Sequence, residues 1–164
     1  GVNILEFSGQ TTKFTGVVPA FIDPILPYLL LFDTGERHES SKIQEGLKEI
    51  SRQQKETLDA IKKCTFEAIE AITKQDIGFF SELMERSWLL KKRSNKGVTT
   101  DKIDALIEKG KSLGAKAGKV LGAGGGGCVL FVVDPKDHGV FKEKIRLRWM
   151  DFSVDWQGLD TRIL

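Results

Sequence analysis

Residues 116–134 read KAGKVLGAGGGGCVLFVVD, and this stretch decides the fold. Lys119–Leu121 and Cys128–Val133 are apolar, β-branched runs on either side of a glycine-rich connection, the pattern of two strands joined by a wide loop. Gly122, Gly124 and Gly127 satisfy G-x-G-x-x-G, but a dinucleotide fingerprint needs a helix directly after the glycines. CVLFVV follows instead, so that reading fails on context. A Walker loop fails as well, because no Lys-Ser or Lys-Thr follows. Gly124–Gly127 nevertheless require a cause, since glycine gives up more backbone freedom on folding than any other residue. One cause is a hairpin loop that needs positive φ. The other is a backbone kept bare of Cβ atoms for close approach to an anion.

Outward from this segment, the chain punctuates itself. Asp134-Pro135 reads as a helix start with proline in the first turn, giving a helix over 135–146. Met150–Trp156 alternates as an edge strand. Upstream, Thr100 and Asp101 open a helix carried by Ile103, Leu106, Ile107 and Leu113, and Gly114 stops it. Asp76 opens another, ending at Asn95–Gly97. Ser41-Lys42-Ile43-Gln44 fits a capping box at the start of a helical stretch, with a break expected near Lys63–Thr65. ILPYLLLFD, residues 25–33, reads as a strand buried on both faces. The order from residue 25 is β, several α, β, β, α, β. It predicts an α+β, elaborated ferredoxin-like sheet with helices on one face. Residues 1–24 stand apart. GVNILEF and TTKFTGVVP suggest two strands about Ser8-Gly9-Gln10, and Pro19, Pro24 and Pro27 mark the exit. They predict the tail of a preceding domain and a linker, with the main domain at 25–164.

Composition narrows the function classes. The 164 residues hold 40% hydrophobic and 29% charged residues, a globular balance rather than a disordered one. With 25 Lys and Arg against 23 Asp and Glu, the net charge is +2, too near zero for a nucleic-acid binder held by bulk charge. No apolar run is long enough to span a membrane. Cys64 and Cys128 stand far apart with no CxxC spacing, so reduced thiols in a cytoplasmic protein are expected. GVNILEFSGQ has no basic leader, and the initial Gly1 suggests a processed chain or a piece of a longer one. No cluster has metal-ligand spacing.

KVLGAGGGGCVLFVV resembles the third conserved motif of the GHMP kinases, the galacto-, homoserine, mevalonate and phosphomevalonate kinases. LPYLLLFDTGERHESSKI is similar to the segment that opens the C-terminal domain in the bacterial heptose-phosphate kinase branch, as is the stretch from Trp88 into the glycines. GVNILEF resembles the last part of the family's N-terminal domain. The resemblance implies an ATP-dependent phosphotransferase acting on a sugar or sugar phosphate, with Mg²⁺ arriving on ATP. It also implies an N-terminal domain as partner, since no second Gly/Ser-rich loop opening a helix occurs here and no acidic residue beside an acceptor is identifiable. No catalytic residue is expected in this chain, and by itself it is expected to be inactive.

Three groups of residues are candidates for the site. Gly122, Ala123, Gly124, Gly125, Gly126 and Gly127 would form the phosphate loop. Thr34, Gly35, Arg37, Ser40 and Ser41 would hold the acceptor: an Arg fork and a helix N-terminus both suit a phosphate, although plain capping by Ser41 explains part of the pattern. Lys91 and Lys92 are candidate phosphate contacts, against the simpler reading of cations at a helix C-terminus. Rival readings are a free-standing ferredoxin-like ligand-binding or regulatory module without chemistry, and a galactokinase-like or fucokinase-like branch.

Overall fold

Alternation of side chains along short apolar runs builds the central sheet. In β3 (Leu29–Asp33), Leu30 and Phe32 are buried while Leu29, Leu31 and Asp33 are half-buried. β4 (Ala117–Val120), β5 (Cys128–Val132) and β6 (Arg148–Met150) complete an antiparallel four-stranded sheet in the order β4-β5-β3-β6. The register sets Leu30 beside Phe131 and Phe131 beside Gly118, and Phe32 beside Val129 and Val129 beside Val120. Those residues share one face. α4 (Asp101–Ser112) and α5 (His138–Ile145) cover it with Ile103, Ile107, Phe141 and Ile145. Phe32, Phe131 and Phe141 form a ring cluster with centroids 5.3–6.1 Å apart. A Cβ at Gly118 would lie 2.7 Å from the Phe131 ring, so the small residue there is a packing requirement. This is the ferredoxin-like α+β plan expected from the element order, except that helices pack on both faces of the sheet and not on one.

This computed structural model describes residues 1–37 and 52–157, apart from the side chains of Arg52, Gln53 and Lys96. The elaboration is a helical hairpin, α2 (Arg52–Thr73) and α3 (Ile77–Ser94), packed one on the other. Asp76 caps α3, its side chain accepting from the Phe79 N–H at 2.9 Å. Met84 of α3 meets Ala117 and Val132 on the sheet face opposite α4, with Ile77 and Phe80 alongside. Trp88 reaches the main core and is buried. An N-terminal hairpin, β1 (Val2–Ser8) and β2 (Thr11–Val17), stands outside the sheet and leads into α1 (Pro19–Ile22). Gly9 takes the first of its two loop positions at φ +60°.

Several expectations change. Residues 25–33 are not one strand buried on both faces: Leu26–Tyr28 form a 3₁₀ turn around Pro27, and β3 begins at Leu29. Proline has no N–H to give a central ladder, which delays the strand. No break occurs near Lys63–Thr65. Helix α2 is continuous there because Cys64 carries the inward stripe, buried as an apolar residue would be, with Ala71 further on. The edge strand starts at Arg148 and ends at Met150 instead of running to Trp156. Its partner β3 supplies register positions only from Leu31 to Asp33. The helix expected over 135–146 opens as a 3₁₀ turn, Pro135–Asp137, and becomes α only from His138 to Ile145. The capping box at Ser41 lies outside the described residues.

Candidate functional site

The glycine loop closes the β4–β5 hairpin. Leu121 N–H donates to the Cys128 carbonyl at 2.9 Å, and residues 122–127 span the tip. Gly122, Gly124, Gly125 and Gly127 have φ of +68°, +104°, +73° and +82°, a conformation that L side chains resist. Close approach accounts for two of the glycines. A Cβ at Gly124 would lie 2.6 Å from the Val98 carbonyl oxygen, and one at Gly126 would collide with the Glu36 carbonyl. At these positions, then, the missing side chains make room for the protein's own backbone.

The same contacts tie two distant segments to the loop. The Gly127 carbonyl accepts from both the N–H and the hydroxyl of Thr34, each at 2.8 Å. Gly127 N–H returns a bond to the Glu36 carbonyl at 2.8 Å. Gly125 N–H donates to the Val98 carbonyl at 2.7 Å, from the 3₁₀ turn Lys96–Val98 between α3 and α4. The exit of β3 is itself shaped locally: Gly35, at φ +72°, donates its N–H to Asp33 Oδ1 at 2.9 Å. Among the described residues, the N–H groups of Gly122, Ala123, Gly124 and Gly126 make no backbone hydrogen bond. Several amide donors at one glycine-rich tip can serve an anion.

Of the sequence candidates, Thr34, Gly35 and the 122–127 loop are therefore adjacent. Arg37 follows on the same segment and is exposed. Ser40 and Ser41 lie outside the described residues. The two lysines separate. Lys92 Nζ pairs with Asp104 Oδ1 of α4 at 2.9 Å, and Thr99 Oγ1 donates to the same oxygen at 3.0 Å. Lys91 turns the other way and donates to the Gly122 carbonyl. Burial, then repulsion from Lys119, pushes Lys91 below the ordinary lysine value.

Sequence reasoning missed Lys119, Val98 and Glu36. Lys119 sits on the α3 side of the sheet and donates to Ser87 Oγ at 2.8 Å. Burial lowers its pKa, and the neighbouring Cys64 opposes that shift. Strand alternation was the available signal for Lys119, because it shares a face with the buried Ala117. Val98 and Glu36 act through carbonyls, which side-chain chemistry cannot advertise. Among the described residues, no group of three His, Cys, Asp or Glu side chains could hold a metal ion. Among the described residues, no helix is long and apolar enough to cross a membrane.

This fold is that of the C-terminal domain of the GHMP kinases, and residues 68–147 match that family, described as GHMP kinases C terminal. Among curated proteins, the chain is 30% identical over 137 residues to the D-glycero-alpha-D-manno-heptose 7-phosphate kinase of Campylobacter jejuni. The match covers 80% of this chain and 40% of that protein. Among solved structures, L. major mevalonate kinase superposes with a TM-score of 0.70 at 15% identity, over 88% of this chain and 44% of that one. A D-glycero-D-manno-heptose 1-phosphate kinase from Bacteroides thetaiotaomicron superposes with a TM-score of 0.57 at 19% identity, over 90% and 40%. The structural likenesses speak to the fold. The chain spans 40% of the length of the curated relative it matches.

Proposed function

We propose that this chain is the C-terminal domain, residues 25–164, of an ATP-dependent kinase for a sugar or sugar phosphate, with residues 1–24 belonging to the preceding domain. The acceptor favoured is a heptose 7-phosphate. The hydroxyl oxygen of the acceptor would attack the γ-phosphorus of ATP, ADP would leave, and the hydroxyl proton would pass to a base. Catalysis of this kind is mostly positioning and charge stabilisation. The 122–127 loop would present amide donors to phosphate oxygens. Thr34, Gly35 and Arg37, continued by Ser40 and Ser41, would hold the acceptor. The described residues do not fit a metal, so Mg²⁺ would come with ATP and the rest of the protein. A cytoplasmic setting agrees with the two free thiols, Cys64 and Cys128.

One observation carries this reading. The Gly127 carbonyl accepts from Thr34 twice, which fixes the proposed acceptor segment against the proposed phosphate loop. A kinase must hold its acceptor and phosphoryl donor side by side, with the reacting atoms about 3–3.5 Å apart. The test is ADP release, measured on this chain and on the full-length protein that contains it, with phosphorylated and plain sugars. The chain alone should stay at the no-enzyme rate. In the full-length protein, Arg37→Ala should raise the acceptor KM about 10- to 100-fold, the worth of a hydrogen bond to a charged group, and leave the ATP KM unchanged. Equal turnover of a plain hexose, with Arg37→Ala silent, would move the assignment to a galactokinase-like acceptor.

A further inference from the structure

Charge is matched unevenly along α3. Lys92 meets Asp104, and Lys111 of α4 meets Glu85 of α3 at 2.8 Å. At the foot of the glycine loop the arrangement differs. Lys91 donates to the Gly122 carbonyl and Lys119 to the Ser87 hydroxyl, and among the described residues neither ammonium meets a carboxylate. Burial lowers the titration of both lysines, and for Lys91 repulsion from Lys119 adds to it. Such a pair is costly unless an anion completes it.

Peptide geometry shows what Lys91 does there. A trans peptide is planar, and its C=O and the following N–H point in opposite directions. No peptide of the described chain is cis. With the Gly122 carbonyl held toward Lys91, the Ala123 N–H of the same peptide is turned away from α3. That N–H makes no backbone hydrogen bond among the described residues. Gly122 has φ +68°, and among the described residues no atom beyond its chain neighbours lies within 4 Å of where its Cβ would be.

We propose that Lys91 is a positioning residue for the loop: by holding the Gly122 carbonyl it presents the Ala123 N–H to a phosphate oxygen. Lys91 is thus a backbone clamp rather than the phosphate contact its sequence position suggested. This rests on the reading of 122–127 as a phosphate loop.

The experiment titrates pyrophosphate into the ¹⁵N-labelled chain and follows each loop amide by NMR. In the wild type the Ala123 amide proton should shift on binding. Lys91→Met should weaken binding about tenfold or more, the scale of one hydrogen bond to a charged group, while amides remote from the loop keep their positions. Lys91→Arg should restore it. The pH dependence separates charge from packing. Among the described residues, Lys119 of β4 is the charged group acting on Lys91, with Ser87 of α3 and Cys64 of α2 around Lys119. Wild-type affinity should fall as pH rises through the lowered Lys91 titration, relative to the same titration of Lys91→Arg, which stays charged. This comparison holds even if Lys91→Met fails to fold. Wild-type affinity in Lys91→Met, or identical pH profiles for the wild type and Lys91→Arg, would overturn the role of Lys91 while leaving the phosphate loop standing. Loop amides that ignore pyrophosphate in the wild type would overturn both.

Discussion

The molecule contains two antiparallel hairpins built on opposite principles. β1–β2 pairs seven residues on each strand around a two-residue turn, yet Phe7 and Phe14 are 73% and 70% exposed. β4–β5 pairs only four residues on each side of a long glycine connection, yet Val120, Val129, Phe131 and Val132 are wholly buried. Ladder length and turn economy favour the first; burial favours the second. A lone two-stranded hairpin is marginal in water however good its turn. The second hairpin is held from outside, by helices on both faces and by Thr34, Glu36 and Val98 bonding to its loop. Local chemistry therefore shapes β1–β2, whereas tertiary contacts hold β4–β5.

The sharpest way to break this contrast is to remove an aromatic ring from each hairpin. Phe131→Ala should cost about 3–5 kcal/mol, because the ring fills the space between Gly110, Gly118, Phe32 and Phe141. Phe14→Ala should cost less than about 0.5 kcal/mol. Urea melts of the two variants give both numbers, and equal losses would dissolve the distinction.

Glycine replacement probes the same contrast at the turns. Gly126→Ala places a methyl group into the Glu36 backbone and should lose about 2–3 kcal/mol. Gly9→Ala meets nothing within 4 Å and pays only for its φ of +60°, about 1 kcal/mol. If the two melt alike, the 122–127 loop is not clamped by the β3 exit.

The smallest effect sharpens the electrostatic side of the β4–β5 hairpin. Burial lowers Lys119, so between its folded titration and the ordinary lysine value of 10.5 the unfolded chain binds more protons than the folded one. Stability from this group thus rises with pH across that window. Lys119→Met should stabilise the chain at pH 7 by no more than about 1 kcal/mol, and its advantage should shrink toward pH 10. Thermal melts of both proteins at the two pH values read the change, and a widening gap would reverse the assigned sign.

Much of this fold was legible as periodicity and punctuation. Asp76, Thr100, Gly114 and Asp134 each mark an element boundary through a cap or a positive φ, and those signals act within a few residues. The misreadings lie where partners are remote. Leu29–Asp33 looked buried on both faces because a run of leucines carries no alternation; the register with Phe131 and Val129 selects Leu30 and Phe32 as the inward pair. The break expected near Lys63–Thr65 does not occur, and Cys64 takes a place there between Arg86 Nε and the cavity beside Lys119.

The candidate site divides in the same way. The sequence by itself determined that residues 122–127 form a glycine loop between strands rather than before a helix, because strand propensity and positive φ are local properties. The tertiary structure alone decided which glycines serve the chain's own packing, that Thr34 and Glu36 meet Gly127 across more than ninety residues, and that Lys91 and Lys92 part company. Those outcomes depend on where carbonyls and carboxylates of other segments arrive. A backbone carbonyl is the same group in every residue, so its partners are set by the fold.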